Sequence, residues 1–351
     1  TAVYSPTNTQ TPISSPTVTA TIIAATPAFT PTRLPPQVVL PEPEFEPQDW
    51  NNCGPVALSM YLNFYGWEGD QYAISDLVKP VRSDRNVNID ELVNYVYQNV
   101  WWLNAKFRVG GNIDLIRKVI SAGMPILIEE SMYLEEQFWF NDDRWAGHYL
   151  LVTGYDDVRQ VFIAQDSFIG ANREVSYAEL DQNWRAFNRV YLLVYLPEQD
   201  NLVQELLGGD NDIDINRQNA LQEARREIES EPDDPIAWFN LGSNLVYFER
   251  YNEAAEAYDI ARSNELPQRM LRYQFGPFLA YFHDNRIDDL LALTEYAITV
   301  TPNSEEALLW QGWAYYRLGR KSQALDSFLD ALEPHPGYAD AEYAINFVQN
   351  N

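Results

Sequence analysis

Cysteine occurs once in this chain, at Cys53, so no intrachain disulfide can form. Histidine occurs three times, at His148, His283 and His335, too few for a Cys/His zinc cluster, and no metal-ligand set is assigned. Lysine is confined to Lys79, Lys106, Lys118 and Lys321. Acidic residues number 51 against 24 basic ones, a net charge of −27. That charge repels phosphate backbones and anionic bilayers, which excludes nucleic acid and a membrane surface as expected partners. No run of 18 apolar residues is present to span a bilayer. Charged residues make up only 21% and apolar ones 46%, which is ample material for packed cores. A length of 351 residues predicts two domains plus additional sequence.

Residues 1–44 are poor in everything that builds a core. The stretch is rich in Thr, Pro, Ser and Ala, and Arg33 is its one basic residue. It reads as an extended linker or stalk. With Thr1 as the first residue, the expectation is a bacterial extracytoplasmic protein, secreted or on the surface. Contact with a membrane is expected only through a removed N-terminal signal or anchor.

Residues 45–197 read as a mixed domain of an antiparallel sheet with helices. A helix is predicted from Cys53 to Phe64, with Ala57, Met60, Tyr61 and Phe64 on one face, Pro55 in its first turn and Gly66 after its end. Helices are also predicted over 88–100 and 112–122, and strands over 125–128, 149–153, 161–164 and 190–196. Residues 198–216 form an acidic stretch with Gly208-Gly209, read as a linker.

Residues 217–351 repeat. Pro232, Pro267, Pro302 and Pro336 recur at steps of 35, 35 and 34 residues. The clearest copy holds Trp310, Gly312, Ala314, Gly319, Ala324, Phe328 and Ala331. A second contains Trp238, Gly242, Ala254 and Tyr258, and a degenerate middle copy has Phe278 and Leu290 at positions where small residues are usual. This pattern resembles the tetratricopeptide repeat, an all-α solenoid of helix pairs. Three copies are read, preceded by a half repeat over 217–231 and followed by a capping helix over 338–349.

The chemistry concentrates in the first domain. Gln48-Asp49-Trp50-Asn51-Asn52-Cys53-Gly54-Pro55 sets a cysteine at a helix N-terminus, where backbone N–H groups and the helix dipole favour a thiolate. Gly147-His148-Tyr149 opens one strand, and Gln165-Asp166-Ser167 ends the next. A hairpin turning at Asp157 sets His148 opposite Asp166 on the same face, where a carboxylate orients an imidazole. Gln48 is positioned to donate to an oxyanion. The aromatic loop before His148 offers Trp139 and Trp145 as a substrate wall, with ordinary packing as the alternative, while Trp101-Trp102 reads as core.

The order Cys, His, Asp follows papain-like enzymes. Gln48 with Cys53-Gly54-Pro55, Gly147-His148-Tyr149 with Gly154-Tyr155-Asp156, and Gln165-Asp166-Ser167 resemble the C39-like peptidases over residues 45–197. Unlike the transporter-fused members, this sequence has no membrane or ATPase domain. The resemblance implies a papain-like fold with Cys53 as nucleophile, His148 as base and acid, Asp166 as orienter and Gln48 as oxyanion donor, and no cofactor. The expected activity is hydrolysis of a peptide or protein substrate, with the repeats binding substrate or a protein partner and the first domain working alone. A non-catalytic surface scaffold using a papain-like binding module stays open.

Overall fold

A computed structural model of the chain describes residues 34–82, 86–137 and 143–350. The stalk expected over 1–44 lies outside them up to residue 33. Its last part is not a stalk: β1 (Gln37–Val39) pairs with the sheet, Val38 opposite Tyr155, and Leu40 is buried. The helices of the first domain are α1 (Cys53–Phe64), α2 (Gln71–Val78), α3 (Ile89–Asn99), α4 (Ile113–Ser121) and α5 (Tyr177–Trp184). Its further strands are β2 (Asn104–Arg108), β3 (Ile126–Tyr133), β4 (Trp145–Asp156), β5 (Val161–Asp166), β6 (Gly170–Ser176) and β7 (Tyr191–Tyr195). Among the described residues they form one sheet in the order β2-β7-β3-β4-β5-β6, with β1 also on β4, and every pairing is antiparallel.

The sheet is buried on both faces, which is why β7 reads Tyr-Leu-Leu-Val-Tyr without alternation. Leu127, Tyr149, Leu151, Leu192 and Val194 face α1 and α3. Ile126, Ile128, Leu150, Val152 and Leu193 face α4 and α5. Tyr61 ties α1 to the sheet, since its hydroxyl donates to Pro125 O at 2.5 Å and accepts from Val194 N at 2.9 Å.

The stretch 198–216 is folded rather than extended. It carries α6 (Asp200–Leu207), whose Val203 and Leu207 are buried in the core of the α4 face, and a following turn whose Asp210 O accepts from Arg108 Nε at 2.8 Å.

Beyond it lie α7 (Ile213–Ser230), α8 (Pro235–Tyr247), α9 (Tyr251–Ser263), α10 (Gly276–His283), α11 (Ile287–Val300), α12 (Glu305–Arg317), α13 (Lys321–Ala331) and α14 (Ala339–Asn350). The pairs α8/α9, α10/α11 and α12/α13 are the three repeats, flanked by α7 and α14. Small residues set the helix crossings: a Cβ at Gly312 would lie 2.3 Å from the Phe328 ring. The middle copy is the irregular one. Its first helix has only eight residues, and Gln268–Arg272 before it form a 3-10 turn.

The repeats share the core of the α1 face, where Phe239, Tyr258, Met270 and Phe278 join the cluster of Leu127 and Leu151. Buried amides lock the seam. Asn216 Oδ1 accepts from Val109 N at 3.0 Å while its Nδ2 donates to Val109 O at 2.8 Å. Asn188 Nδ2 donates to Asn244 Oδ1 at 3.0 Å, and Arg189 bridges Glu227 at 2.8 Å. Trp101, expected in the core, is 85% exposed on the turn after α3.

Candidate functional site

Cys53 is the first residue of α1 and is half-buried. Residues 46–52 must present it, and they are held from behind. Gln71 Oε1 accepts from Asn52 Nδ2 and from Asp49 N, both at 2.7 Å, and Gln71 Nε2 donates to Pro47 O at 2.9 Å. Asn51 takes a left-handed φ of 54°, a conformation asparagine tolerates, and its carbonyl accepts from Lys79 Nζ at 3.0 Å.

His148 and Asp166 meet: His148 Nε2 lies 2.8 Å from Asp166 Oδ1, both buried. The pairing differs from the hairpin expectation. Leu151 faces Gln165 and Val152 faces Ala164, and the register shifts at a bulge between Val152 and Gly154. The position across from Asp166 is therefore 150, not 148. Parity is preserved, so Asp166 reaches His148 as a diagonal neighbour on the same face. Asp166 Oδ1 also accepts from Phe168 N at 2.9 Å and Ile169 N at 3.0 Å, while Arg173 Nη1 binds Oδ2 at 2.8 Å.

With Nε2 committed to Asp166, the His148 ring meets Cys53 through Nδ1. Burial disfavours a charged imidazole, but hydrogen bonds to Asp166 and Cys53 outweigh it and raise His148 to about 10. Burial also works against the Cys53 thiolate. The imidazolium, aided by the N–H groups of Tyr149 and Gly54, overcomes that and lowers the thiol below its ordinary value. Asp166 is likewise opposed by burial, yet His148 and the two backbone donors hold it well below the usual carboxylate range. The arrangement favours a thiolate–imidazolium pair backed by a carboxylate.

Gln48 lines the same cleft as Cys53 and His148. Its N–H donates to Ser167 O at 3.0 Å, replacing the β4 partner that β5 leaves at Gln165. Its Oε1 accepts from Ser167 Oγ at 3.0 Å, which leaves the Nε2 end of the amide as the donor end. Trp145 is not a cleft wall. It is 2% exposed and stacked on Phe187 at 5.5 Å, because its strand position points it to the packed α1 face. Trp139 lies outside the described residues.

Two groups of residues escaped the sequence reading. Glu129 and Glu130 sit on β3 opposite Tyr149 and His148. Burial raises both carboxyls, Glu130 to about 7. The signal was a pair of glutamates continuing the apolar run Ile126-Leu127-Ile128 in a strand covered on both faces. The second group is Arg269, Arg272 and Tyr273, from the irregular repeat, which line the cleft beside Cys53.

Residues 36–192 match the model of the Peptidase_C39 like family, and residues 278–339 match that of the tetratricopeptide repeat. No curated protein matches the chain. Similar solved structures include a C39-like peptidase from Bacillus anthracis, 18% identical, covering 46% of this chain and 97% of that one, with a TM-score of 0.36. MamA from Desulfovibrio magneticus RS-1 is 16% identical over 43% of this chain and 81% of its own, with a TM-score of 0.36. YrrB, a TPR protein with an unusual peptide-binding site, is 21% identical over 42% of this chain and 72% of its own, with a TM-score of 0.35. The chain thus carries a domain of the C39-like peptidase family followed by tetratricopeptide repeats.

Proposed function

We propose that this protein is a thiol peptidase whose nucleophile is Cys53. The observation that carries this reading is the 2.8 Å contact of His148 Nε2 with Asp166, on a ring that also hydrogen-bonds Cys53 at the start of α1. The Cys53 thiolate attacks the scissile carbonyl carbon, and the resulting oxyanion accepts a hydrogen bond from Gln48 Nε2. The His148 imidazolium gives its proton to the leaving amine as the C–N bond breaks, leaving a thioester on Cys53. His148, now neutral, takes a proton from water, whose oxygen attacks the thioester. The acid product leaves, and the thiolate–imidazolium pair is restored. Asp166 keeps the ring oriented and its charged form favourable.

The repeats supply protein–protein binding, for substrate or partner. The Thr/Pro-rich composition of residues 1–33 supports an extracytoplasmic site of action. Cys53→Ala should fold normally and abolish cleavage of a peptide library that the unsubstituted chain cleaves. Cleavage that survives Cys53→Ala would reject the mechanism.

A further inference from the structure

Beside the ring of His148 the sheet buries an acid that the mechanism does not use. Glu130 on β3 lies directly across from His148 on β4, so both side chains leave the sheet on one face. Asp166, at the end of β5, meets the ring on that face. Arg173 on β6 joins the two acids: its Nη1 stands 2.8 Å from Asp166 Oδ2 and 3.5 Å from Glu130 Oε1. Its Nη2 reaches outward to Glu179 Oε1 at 2.9 Å, on a side chain that is exposed at the start of α5. Glu130 itself is 1% exposed, and its Oε2 has no hydrogen-bond partner among the described residues. A carboxyl group is a costly choice in a strand covered on both faces, where an apolar side chain would pack freely.

Each cation that faces Glu130 already holds another anion. The His148 imidazolium is matched by the Cys53 thiolate and held by Asp166. Arg173 is matched by Asp166, with Glu179 on its outer end. Arg185 and Arg189, on the turn that follows α5, are bound to Glu227, Asp234 and Asp181. Burial therefore raises the Glu130 carboxyl to about 7 against the pull of His148 and Arg173, and Asp166 and Glu179 add to the rise. The acid is neutral at mildly acidic pH and charged well before His148 loses its proton near 10.

Once ionised, Glu130 acts on the ring in two ways of one sign. Its negative charge favours the imidazolium directly across the strand pair. It also draws on the Arg173 guanidinium that otherwise neutralises Asp166, which leaves more of the Asp166 charge for the ring. We propose that Glu130 is a positioning residue of this site, a second acid that keeps the His148 imidazolium charged at alkaline pH, directly and through the arginine it shares with Asp166. That the charge of the ring serves hydrolysis rests on the peptidase reading; the coupling of Glu130 to the ring does not.

The test follows the His148 ring by NMR in the full chain carrying isotope-labelled histidine, its resonance identified as the one missing from His148→Gln. In the unsubstituted chain the ring should show a main step near pH 10 and a smaller one near 7, where Glu130 ionises. In Glu130→Gln the smaller step should vanish and the main one should fall by about one pH unit. Glu130→Asp keeps the acid but withdraws it from the ring, so its main step should fall less, and it stands in if the amide variant does not fold. A main step that stays in place in folded Glu130→Gln, or in Glu130→Asp where only that folds, overturns the proposal, even if the variant is less stable in urea. Cleavage of a peptide library separates the two readings. If the unsubstituted chain cleaves nothing while the ring step falls in Glu130→Gln, the peptidase reading falls and the coupling stands. If it cleaves and the alkaline limb of kcat/KM does not move in Glu130→Gln, the coupling is rejected and the peptidase stands.

Discussion

Ser167 Oγ donates to Gln48 Oε1 at 3.0 Å, fixing which end of the Gln48 amide acts as donor. Ser167 touches no reacting atom, so it is a positioning residue. Ser167→Ala frees the amide to rotate and should lower kcat by about tenfold with little change in KM, because an oxyanion contact acts mainly in the transition state. Gln48→Ala should cost about 10²–10³ in kcat. A combined variant no slower than Gln48→Ala alone would show that Ser167 acts through Gln48, and additive losses would reject that.

The charge state of the site predicts its pH profile. The active form needs a Cys53 thiolate and a His148 imidazolium, so kcat/KM should be bell-shaped. Its acid limb should lie below the ordinary thiol range and its alkaline limb near the His148 value of about 10. These limbs belong to the coupled pair rather than to either residue alone. For stability, a raised histidine contributes fully below its unfolded value of 6.5, and the contribution is lost as pH rises through about 10. Asp166 is depressed, so its contribution is present above 3.8 and lost as pH falls below that value. Urea unfolding of the chain and of His148→Gln across this range checks the sign. A stability advantage of the unsubstituted chain that grows from pH 7 to 10 would contradict it.

What the sequence made legible was local. The helix from Cys53 to Phe64 follows from its apolar spacing, with Pro55 in its first turn and Gly66 after its end. The helix pairs follow from the proline and small-residue period. Parity alone put His148 and Asp166 on one face. The pairing missed by two residues because the turn is centred past Asp157 and a bulge interrupts β4 at Val152/Gly154, and neither leaves a mark in the residue pattern. Trp145 and Trp101 exchanged their expected settings for the same kind of reason: an aromatic residue looks alike in sequence whether strand parity buries it or a turn exposes it. Arg269 and Arg272 could not be assigned to the cleft because they lie more than 100 residues from His148. Their one trace was the broken pattern of the middle repeat.

The described part of the expected stalk carries structure that a deletion should reveal. Val38 pairs with Tyr155, Pro35 O accepts from the Tyr155 hydroxyl at 2.7 Å, and Leu40 is buried beside it. Removing residues 1–44 rather than 1–33 strips an edge strand and takes away the buried Leu40, uncovering the apolar surface it packs on, a loss of about 2–3 kcal/mol from the leucine alone. For a protein of this size that lowers the melting temperature by about 3–5 °C. Equal melting temperatures for the two deletions would show that β1 adds nothing.

The seam between sheet and repeats makes the strongest demand. The expectation that residues 45–200 work alone rests on an independent first domain, and the buried contacts argue the other way. Cutting after residue 200 exposes Phe187 and Trp145 where Tyr273 packs, leaves Val109 N and O without Asn216, and strips the cleft of one wall. Each buried backbone group left unpaired, if water does not reach it, costs about 1–3 kcal/mol, and the apolar face adds more. The truncated domain should therefore aggregate or melt well below the full chain. Asn216→Ala probes the seam without truncation. It leaves the cleft residues in place and removes both bonds to Val109, so it should destabilise the full chain in urea by about 2 kcal/mol or more. The accelerated alkylation of Cys53 at neutral pH should be unaffected by Asn216→Ala and should fall to the rate of an ordinary thiol in the truncated domain. A truncated domain that melts like the full chain and alkylates at the same rate would show that the repeats are an appendage and that the seam carries no share of the fold.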